Sequence, residues 1–408
     1  MLCDKQRPKQ TIVTRRTKFL LAIPCAAAGL LLVLHTLAPR MPPPSPSDRW
    51  PGKDGNPAYE PLVPVGETMN EGGLYDPSIA YVTDGRTGWL VYSAVLRRGT
   101  NYIKQVPIGP YCETHLARSI NGGKTWDFVQ AVNQSRDDHL QELDGQKVAG
   151  VWRHEVASIV HDPGDAGREW KIFSHQYFWS VRQDRMPAYG CITLQTASDP
   201  AGRWSEPEPF FGSDRFPPKP YNLTRVNVNA LDPRLKDTLV YTEPGAFCRD
   251  GTLYLSLTAV RRTGPEKIAL LASTDHARTW RVVNILVSNG DARQLGYDKL
   301  DGSAIAQEAG RVFLLVSPGN RIAEHLGTMV IEFADLATGQ LKRDPSGRLI
   351  ISKHLREQPD LLPHLDAGVS CYDEHNTYGG ILMAQMVIKD APQVFQIWST
   401  RQSILGGP

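Results

Sequence analysis

The sequence predicts an all-β fold, a five-bladed β-propeller of four-stranded antiparallel blades preceded by one N-terminal transmembrane or signal helix, and three observations predict it. The chain of 408 residues is rich in Gly (35), Pro (31) and Trp (9), and long helical periodicities are scarce, which favours short strands joined by tight turns. One acid-led pair of strands recurs five times along it. Beyond its first sixty residues the chain still exceeds the roughly 250 to 300 residues that one compact core sustains. Repetition resolves that excess.

The N-terminal segment comes first. Residues 1–18 carry Lys5, Arg7, Lys9, Arg15, Arg16 and Lys18, and an apolar run from Phe19 to Ala38 follows, interrupted only by Pro24, His35 and Thr36. Spanning a bilayer takes about 20 residues, and a positive flank stays on the cytoplasmic side. The reading is a signal anchor over 19–38 behind a cytoplasmic segment 1–18. The alternative is a cleaved signal peptide, with a shorter apolar stretch of about 7 to 15 residues, and Pro39 makes a poor cleavage junction. Cys25 follows Pro24 rather than a small residue, which argues against a lipoprotein signal. Residues 39–58, including MPPPSPSDRWPG, read as a Pro-rich spacer, and 59–408 as the propeller, exported in either case.

The 45 basic and 43 acidic residues nearly balance, so there is no electrostatic case for nucleic acid as a partner. Cys112, Cys191, Cys248 and Cys371 match no zinc-ligand spacing, and both disulfides and buried thiols remain open.

From residue 75 onward the repeat reads as an acid, a short apolar strand, a turn and a second apolar strand. Its five instances open at Asp76 (YDPSIAYV), Glu155 (HEVASIVH), Glu243 (TEPGAFC), Asp301 (DGSAIAQ) and Asp366 (DAGVSCYD). Two more strand-like runs after each pair make a four-stranded blade, and radial repetition limits exposed sheet edges. The last unit is one strand short, and the segment around Tyr59 to Val65 is expected to pair there and close the ring.

The innermost strand of each blade lines the central channel, so residues at its start converge on one mouth. Five acids are expected there in one shared register. Crowding and burial in such a ring raise the pKa of at least one carboxyl, and glycoside hydrolysis needs that asymmetry between a protonated acid and an ionised base or nucleophile. Asp84, Asp162 and Asp250 sit in TDG, DPGD and RDG, ordinary turn signals, and are left out of the site. Trp152, three residues before Glu155, is the expected sugar platform, ahead of Tyr75, Trp179 and Tyr378. His154 is placed to bond a sugar hydroxyl, while Asp301 and Asp366 complete the substrate-binding set. No metal or cofactor is required, and calcium is the hard cation that such oxygen ligands would select.

Two resemblances add to this reading. SINGGKTW (Ser119 to Trp126) and STDHARTW (Ser273 to Trp280) resemble the Asp-box of sialidases and other propellers, with Asn121 in place of Asp and Ala277 in place of Gly; SDPAGRW (Ser198 to Trp204) is a looser relative. These are turn and packing elements and bear on architecture alone. YDPSIAYV with Asp76 and YTEPGAF with Glu243 resemble the first- and third-blade motifs of five-bladed propeller glycosidases, glycoside hydrolase families 43 and 32. The resemblance implies Asp76 as general base or nucleophile, Glu243 as general acid, and Glu155 as the group that orients the acid and tunes its pKa. HEVAS departs from the family pattern, with Glu for Asp and no adjoining Pro, and His161-Asp162-Pro163 matches the Arg-Asp-Pro of family 32 only loosely.

The competing readings are an exo-α-sialidase and a non-catalytic propeller that binds a glycan or a protein. A sialidase would need three arginines clamping a carboxylate, a Tyr paired with Glu, and an Arg-Ile-Pro motif. That motif is absent, five blades are counted where that fold has six, and only Arg153, Arg225 and Arg321 present themselves.

Overall fold

The computed structural model describes residues 59–68, 72–96, 102–103, 106–107, 111–141, 147–180, 185–214, 223–320, 325–355, 367–375, 379–388 and 394–405. The expected anchor over 19–38 and the spacer over 39–58 lie outside these residues, as do Asp366, Asn376, Tyr378 and Arg321. Among the described residues no helix is long and apolar enough to cross a membrane.

Five sheets, antiparallel except for the outermost pair of the second, make five blades. The first runs outward as Leu74–Tyr81, Gly88–Leu96, Tyr111–Ser119 and Asp127–Asn133, and the third as Val240–Arg249, Thr252–Arg261, Gly264–Ser273 and Arg281–Ser288. The fourth has Lys299–Glu308, Arg311–Gly319 and Thr328–Asp335, whose outer edge is shared by Gln340–Leu341 and Ile351–Leu355. The second departs from the expected four strands. Lys147–His161, Trp170–Ser180, Arg185–Ala197 and Glu208–Gly212 are flanked by Arg136–Gln141 on the channel side and Val226–Asn227 outside, giving six.

The ring closes where the sequence asks for a missing strand. Ala367–Asp373, Gly380–Ile388 and Val394–Ser399 of the fifth blade gain Glu60–Pro61 as their outer strand, in the register Glu60↔Ser399 and Pro61↔Trp398. Leu62 then donates its N–H to the Ile397 carbonyl at 2.8 Å. The chain next crosses to the start of the first blade at Gly73, where a Cβ would stand 1.9 Å from the Phe395 carbonyl oxygen and φ is +76°. Only glycine allows that approach.

Burial follows the seams between blades. Five apolar clusters fill the five seams: Leu116 with Ile172, Phe173 with Leu255, Leu270 with Leu314, Phe313 with Ile381, and Leu382 with Leu90. That is how a chain of this length escapes the size limit on a single core. Near the axis the seams turn polar. Ser158 Oγ lies 3.3 Å from Ser78 Oγ and accepts the Ala246 N–H at 2.8 Å, and Ser303 Oγ donates to Ser256 Oγ at 2.8 Å. These short side chains let the inner strands pack closely.

Asp162, read from sequence as a turn residue, does more. With Asp165 it brackets the fully buried Lys171 ammonium at 2.9 Å each, and it faces His276 Nδ1 of the next blade at 3.0 Å. The four described cysteines are free thiols.

Candidate active site

All five inner strands interrupt their pairing at the same height. The breaks fall between Tyr75 and Ser78, Glu155 and Ser158, Thr242 and Gly245, Asp301 and Ser303, and Gly368 and Cys371. Such bulges re-aim a side chain and are over-represented beside active sites. The crowns of the first four carry positive φ: Asp76 at 54°, Val156 at 50°, Glu243 at 53° and Gly302 at 50°. For a non-glycine residue this conformation costs on the order of 1 kcal/mol or more and persists only where the surroundings impose it.

The acids therefore do not share one register, which corrects the expectation above. Asp76 and Glu243 occupy the crown itself, whereas Glu155 and Asp301 sit one residue earlier, opposite His175 and Ser317. In the fifth strand the break comes after position 366.

Position decides partners, because residues two apart on a strand share a face. Two residues before Glu155 is Arg153, with Nη2 3.2 Å from Glu155 Oε2; two residues before Asp301 is Lys299, with Nζ 3.1 Å from Asp301 Oδ2. Glu155 Oε2 also accepts a short hydrogen bond from the Tyr75 hydroxyl. Asp301 accepts the Gly302 N–H at 2.9 Å and faces His325 Nε2 at 3.5 Å. Burial alone would raise Asp301, but Lys299 and His325 together hold its carboxyl well below the usual carboxylate range.

The crown acids have no such cations on their own strands; Leu74 and Tyr241 stand two residues before them. Asp76 is buried and accepts Ser93 Oγ–H at 2.9 Å, while Ser93 Oγ itself accepts the Val156 N–H at 3.0 Å. Burial and then the charge of Glu155 push Asp76 well above the ordinary aspartate value, partly offset by its hydrogen bonds. Glu243 is also raised well above its ordinary value, by burial first and then by the charges of Asp301, Asp76 and Glu155. Its Oε2 is buried and has no hydrogen-bond partner among the described residues. Four carboxyls from four blades thus act on one another, and the carboxylate that acts most on Glu243 is Asp301.

The fixed position of Glu243 has a visible cause. Pro244 and Gly245 follow it, and a Cβ at Gly245 would lie 2.3 Å from the Ser303 carbonyl oxygen of the fourth blade. The close contact presses the two inner strands together just behind the acid.

The expected sugar contacts are placed differently from one another. Trp152 is half-buried on the second-blade extension, donates its ring N–H to Asp138 Oδ2 at 2.9 Å and lies edge-on to Phe178. His154 is buried, beside Gln176, on the strand face opposite to Glu155. Burial, with Arg136 and His175 adding to it, lowers its pKa to about 4, so it is neutral at physiological pH. Among the described residues no group of three or more His, Cys, Asp or Glu is arranged to hold a metal ion.

Sequence reasoning missed Lys299, His325 and Ser93, and weighed Arg153 only as a clamp for a substrate carboxylate. Arg153 is committed to Glu155, and Arg225 lies 3.6 Å from Glu208 at the outer edge of its blade. The cation two residues before the acid, Arg-x-Glu and Lys-x-Asp, was the available signal.

No family model and no curated protein sequence matches this chain. Among solved structures it is similar to Zg3597, a family 117 glycoside hydrolase of the marine bacterium Zobellia galactanivorans, at 12% identity and a TM-score of 0.46, covering 83% of this chain and 88% of that one. It is similar as well to the exo-β-1,3-galactanase 1,3Gal43A of Clostridium thermocellum, at 12% identity and a TM-score of 0.47 over 85% of this chain and 61% of that one. A third is the α-L-arabinofuranosidase PaAbf62A of Podospora anserina, at 9% identity and a TM-score of 0.46 over 84% and 96%.

Proposed function

We propose that this protein is a glycoside hydrolase that works through two carboxyls at the channel mouth, with Glu243 as general acid and Asp76 as general base or nucleophile. The observation that carries the reading is the contrast between these two acids. Both stand on strained crowns with one blade between them, and both have raised pKa values from burial and neighbouring charge. They differ in hydrogen bonding. Ser93 favours the ionised form of Asp76, whereas the orphaned Oε2 of Glu243 favours the protonated carboxyl. One proton shared so unequally is what acid and base roles require.

In the proposed reaction the Glu243 carboxyl gives its proton to the glycosidic oxygen as the bond to the anomeric carbon breaks. Asp76 either attacks that carbon or takes a proton from an attacking water. Asp301 and Glu155, held ionised by their cations, keep Glu243 protonated by like-charge repulsion, Asp301 the more strongly. The product anomer formed first, read by NMR, distinguishes attack from water activation; the carboxyl pair would stand about 5 to 5.5 Å apart for the first and about 6.5 to 9.5 Å apart for the second.

A panel of chromogenic glycosides incubated with the purified protein tests the assignment. Turnover of at least one substrate is expected, lost in Glu243→Gln and in Asp76→Asn. Wild-type turnover in either variant removes that residue from its role, and binding without turnover across the panel would leave a glycan-binding propeller.

We also propose that residues 19–38 export the propeller and keep it at the membrane, on the strength of their length, apolarity and basic flank. Fractionation with protease accessibility tests it: protected soluble protein refutes export.

A further inference from the structure

Val156 forms the crown of the second-blade bulge, with φ at 50°. A β-branched residue rarely adopts that conformation, and it persists only where the surroundings impose it. Neither Val156 nor Ala157 has a partner in the ladder with Trp170–Ser180, because pairing stops at Glu155↔His175 and resumes at Ser158↔Phe173. The Val156 amide is instead directed across the seam, donating to Ser93 Oγ of the first blade at 3.0 Å. Ser93 extends the chain, its hydroxyl donating to Asp76 Oδ2 at 2.9 Å. Val156, Ser93 and Asp76 are all buried, Ser93 being only 1% exposed. The fourth blade offers the contrast. Its crown is Gly302, which takes a φ of 50° readily and gives its amide to Asp301 of its own strand at 2.9 Å. In the second blade a strained crown serves a neighbour's acid.

We propose that the second-blade crown is a positioning device for the first blade: the Val156 amide fixes the Ser93 hydroxyl, and Ser93, as a positioning residue, aims the Asp76 carboxylate and stabilises its negative charge. The physical reason lies in the hydroxyl. A serine O–H turns to suit its surroundings, and with the oxygen already engaged by the Val156 amide the hydrogen is left to point at Asp76. A donor bonded to a carboxylate favours the charged form, and both the Ser93 hydroxyl and the Val156 amide act on Asp76 in this sense, against burial. The kinetic consequence rests on the glycosidase reading, the electrostatic one on the hydrogen bonds. The titratable groups around Asp76 are Tyr75 beside it, Cys112 of its own blade, Glu155 of the second, Glu243 of the third, and His325. None of them is altered by substitution at Ser93.

Ser93→Ala, set against Ser78→Ala, tests this. Ser78 Oγ accepts the Ile159 N–H at 3.2 Å, so it joins the same two blades through a bond that does not involve Asp76. A hydrogen bond to a charged group is worth about one pH unit or more. In Ser93→Ala the acidic limb of kcat/KM, which follows ionisation of Asp76, should therefore move to higher pH by about one unit. In Ser78→Ala it should stay at its wild-type position, even where the melting temperature falls as far. A limb that does not move in Ser93→Ala, or that moves equally in Ser78→Ala, reduces Ser93 to a blade-docking contact and overturns the proposal. Should Ser93→Ala fail to fold, Ser93→Cys takes its place. A thiol is the weaker donor, so the limb should move the same way by a smaller amount, and an unmoved limb overturns the proposal.

A carboxyl-carbon NMR titration of Asp-labelled protein, with the Asp76 signal assigned from Asp76→Asn, provides a readout independent of activity. The Asp76 midpoint is expected to rise by about one unit in Ser93→Ala and to stay unchanged in Ser78→Ala. The Val156 amide signal, followed in protein carrying nitrogen-labelled valine, should titrate in the wild type with the same midpoint as Asp76; an amide that does not respond overturns the crown's part. If the Asp76 midpoint rises in a Ser93→Ala protein whose wild type hydrolyses no glycoside, the positioning stands and the glycosidase reading falls. If hydrolysis is found and the midpoint does not move, the positioning falls and the reading stands.

Discussion

The first and third blades differ from the second and fourth in one respect that organises the whole channel mouth. All four inner strands bulge at the same level, but the odd blades put their acid on the crown and the even blades put it one residue earlier. That single-residue offset brings Glu155 and Asp301 onto the strand face of Arg153 and Lys299, where each pairs with a cation. It leaves Asp76 and Glu243 without a cation two residues before them, where Leu74 and Tyr241 stand. Carboxyls without and with a cation two residues before them therefore alternate through the first four blades, and the difference between them is one of backbone register before it is one of chemistry.

The largest effect that would break this comparison is in the odd blades. Glu243→Gln and Asp76→Asn should each lower kcat by about a thousandfold, within the range for loss of a general acid or base, while circular dichroism stays native. An even-blade acid should fail differently. Asp301→Asn removes the carboxylate charge that faces the buried Lys299 ammonium and should destabilise the fold by about 3 to 5 kcal/mol in urea titration, and Lys299→Met/Asp301→Asn should recover most of that loss. Because Asp301 is the leading charge on Glu243, the same change should also move the alkaline limb of activity to lower pH.

A smaller effect sharpens the comparison by finding even-blade logic away from the channel. His115 lies 2.8 Å from Glu67 and 3.6 Å from Glu113, all three buried, and Tyr92 donates to the same Glu67 carboxylate. Burial opposes the charged imidazolium, but the hydrogen bonds and charges of the two glutamates prevail and push His115 up to about 8. A group raised in the folded state stabilises fully below its unfolded value and loses that contribution as pH rises through the folded one. About 2 kcal/mol should therefore disappear between roughly pH 6.5 and 8, and His115→Gln should flatten that slope in denaturant titrations.

The smallest effect is a gain in stability on substitution. Folded Glu243 binds its proton more tightly than the unfolded chain does, so stability falls as pH rises from the ordinary glutamate value through the raised one. Glu243→Gln should then melt a few degrees above wild type at alkaline pH and equal to it in acid. A lower melting temperature in alkali would show that the crown acid is not a strained, destabilising element.

Much of this was legible in the sequence. The blade count, the closing strand near Tyr59 and the choice of Asp76, Glu155, Glu243 and Asp301 follow from apolar periodicity and from acids recurring before strands. The offset was not legible, because a bulge inserts a residue without marking it: Pro77 and Pro244 follow the crown acids where Val156 and Gly302 follow the even-blade acids, but that difference does not by itself state a register. Nor were His325 and Ser93, which reach the site from connections and second strands whose local sequence carries no motif. Arg153-x-Glu155 and Lys299-x-Asp301 were readable, since alternate residues on a strand share a face, but only once the acids were known to need partners.

The strand that completes the fifth blade sets the order of events when the chain folds. Gln396 and Leu62, which bond across that seam, are 334 residues apart in sequence. Contacts so remote form late, because the chain between them must first be drawn in. Four blades can gather as they are synthesised, but the fifth must wait for both of its contributing segments. A nascent chain therefore carries an open ring, with the Phe395 side of the Gly73 crossing missing, until the strand Val394–Ser399 has emerged. Its vulnerability to aggregation is concentrated in that interval.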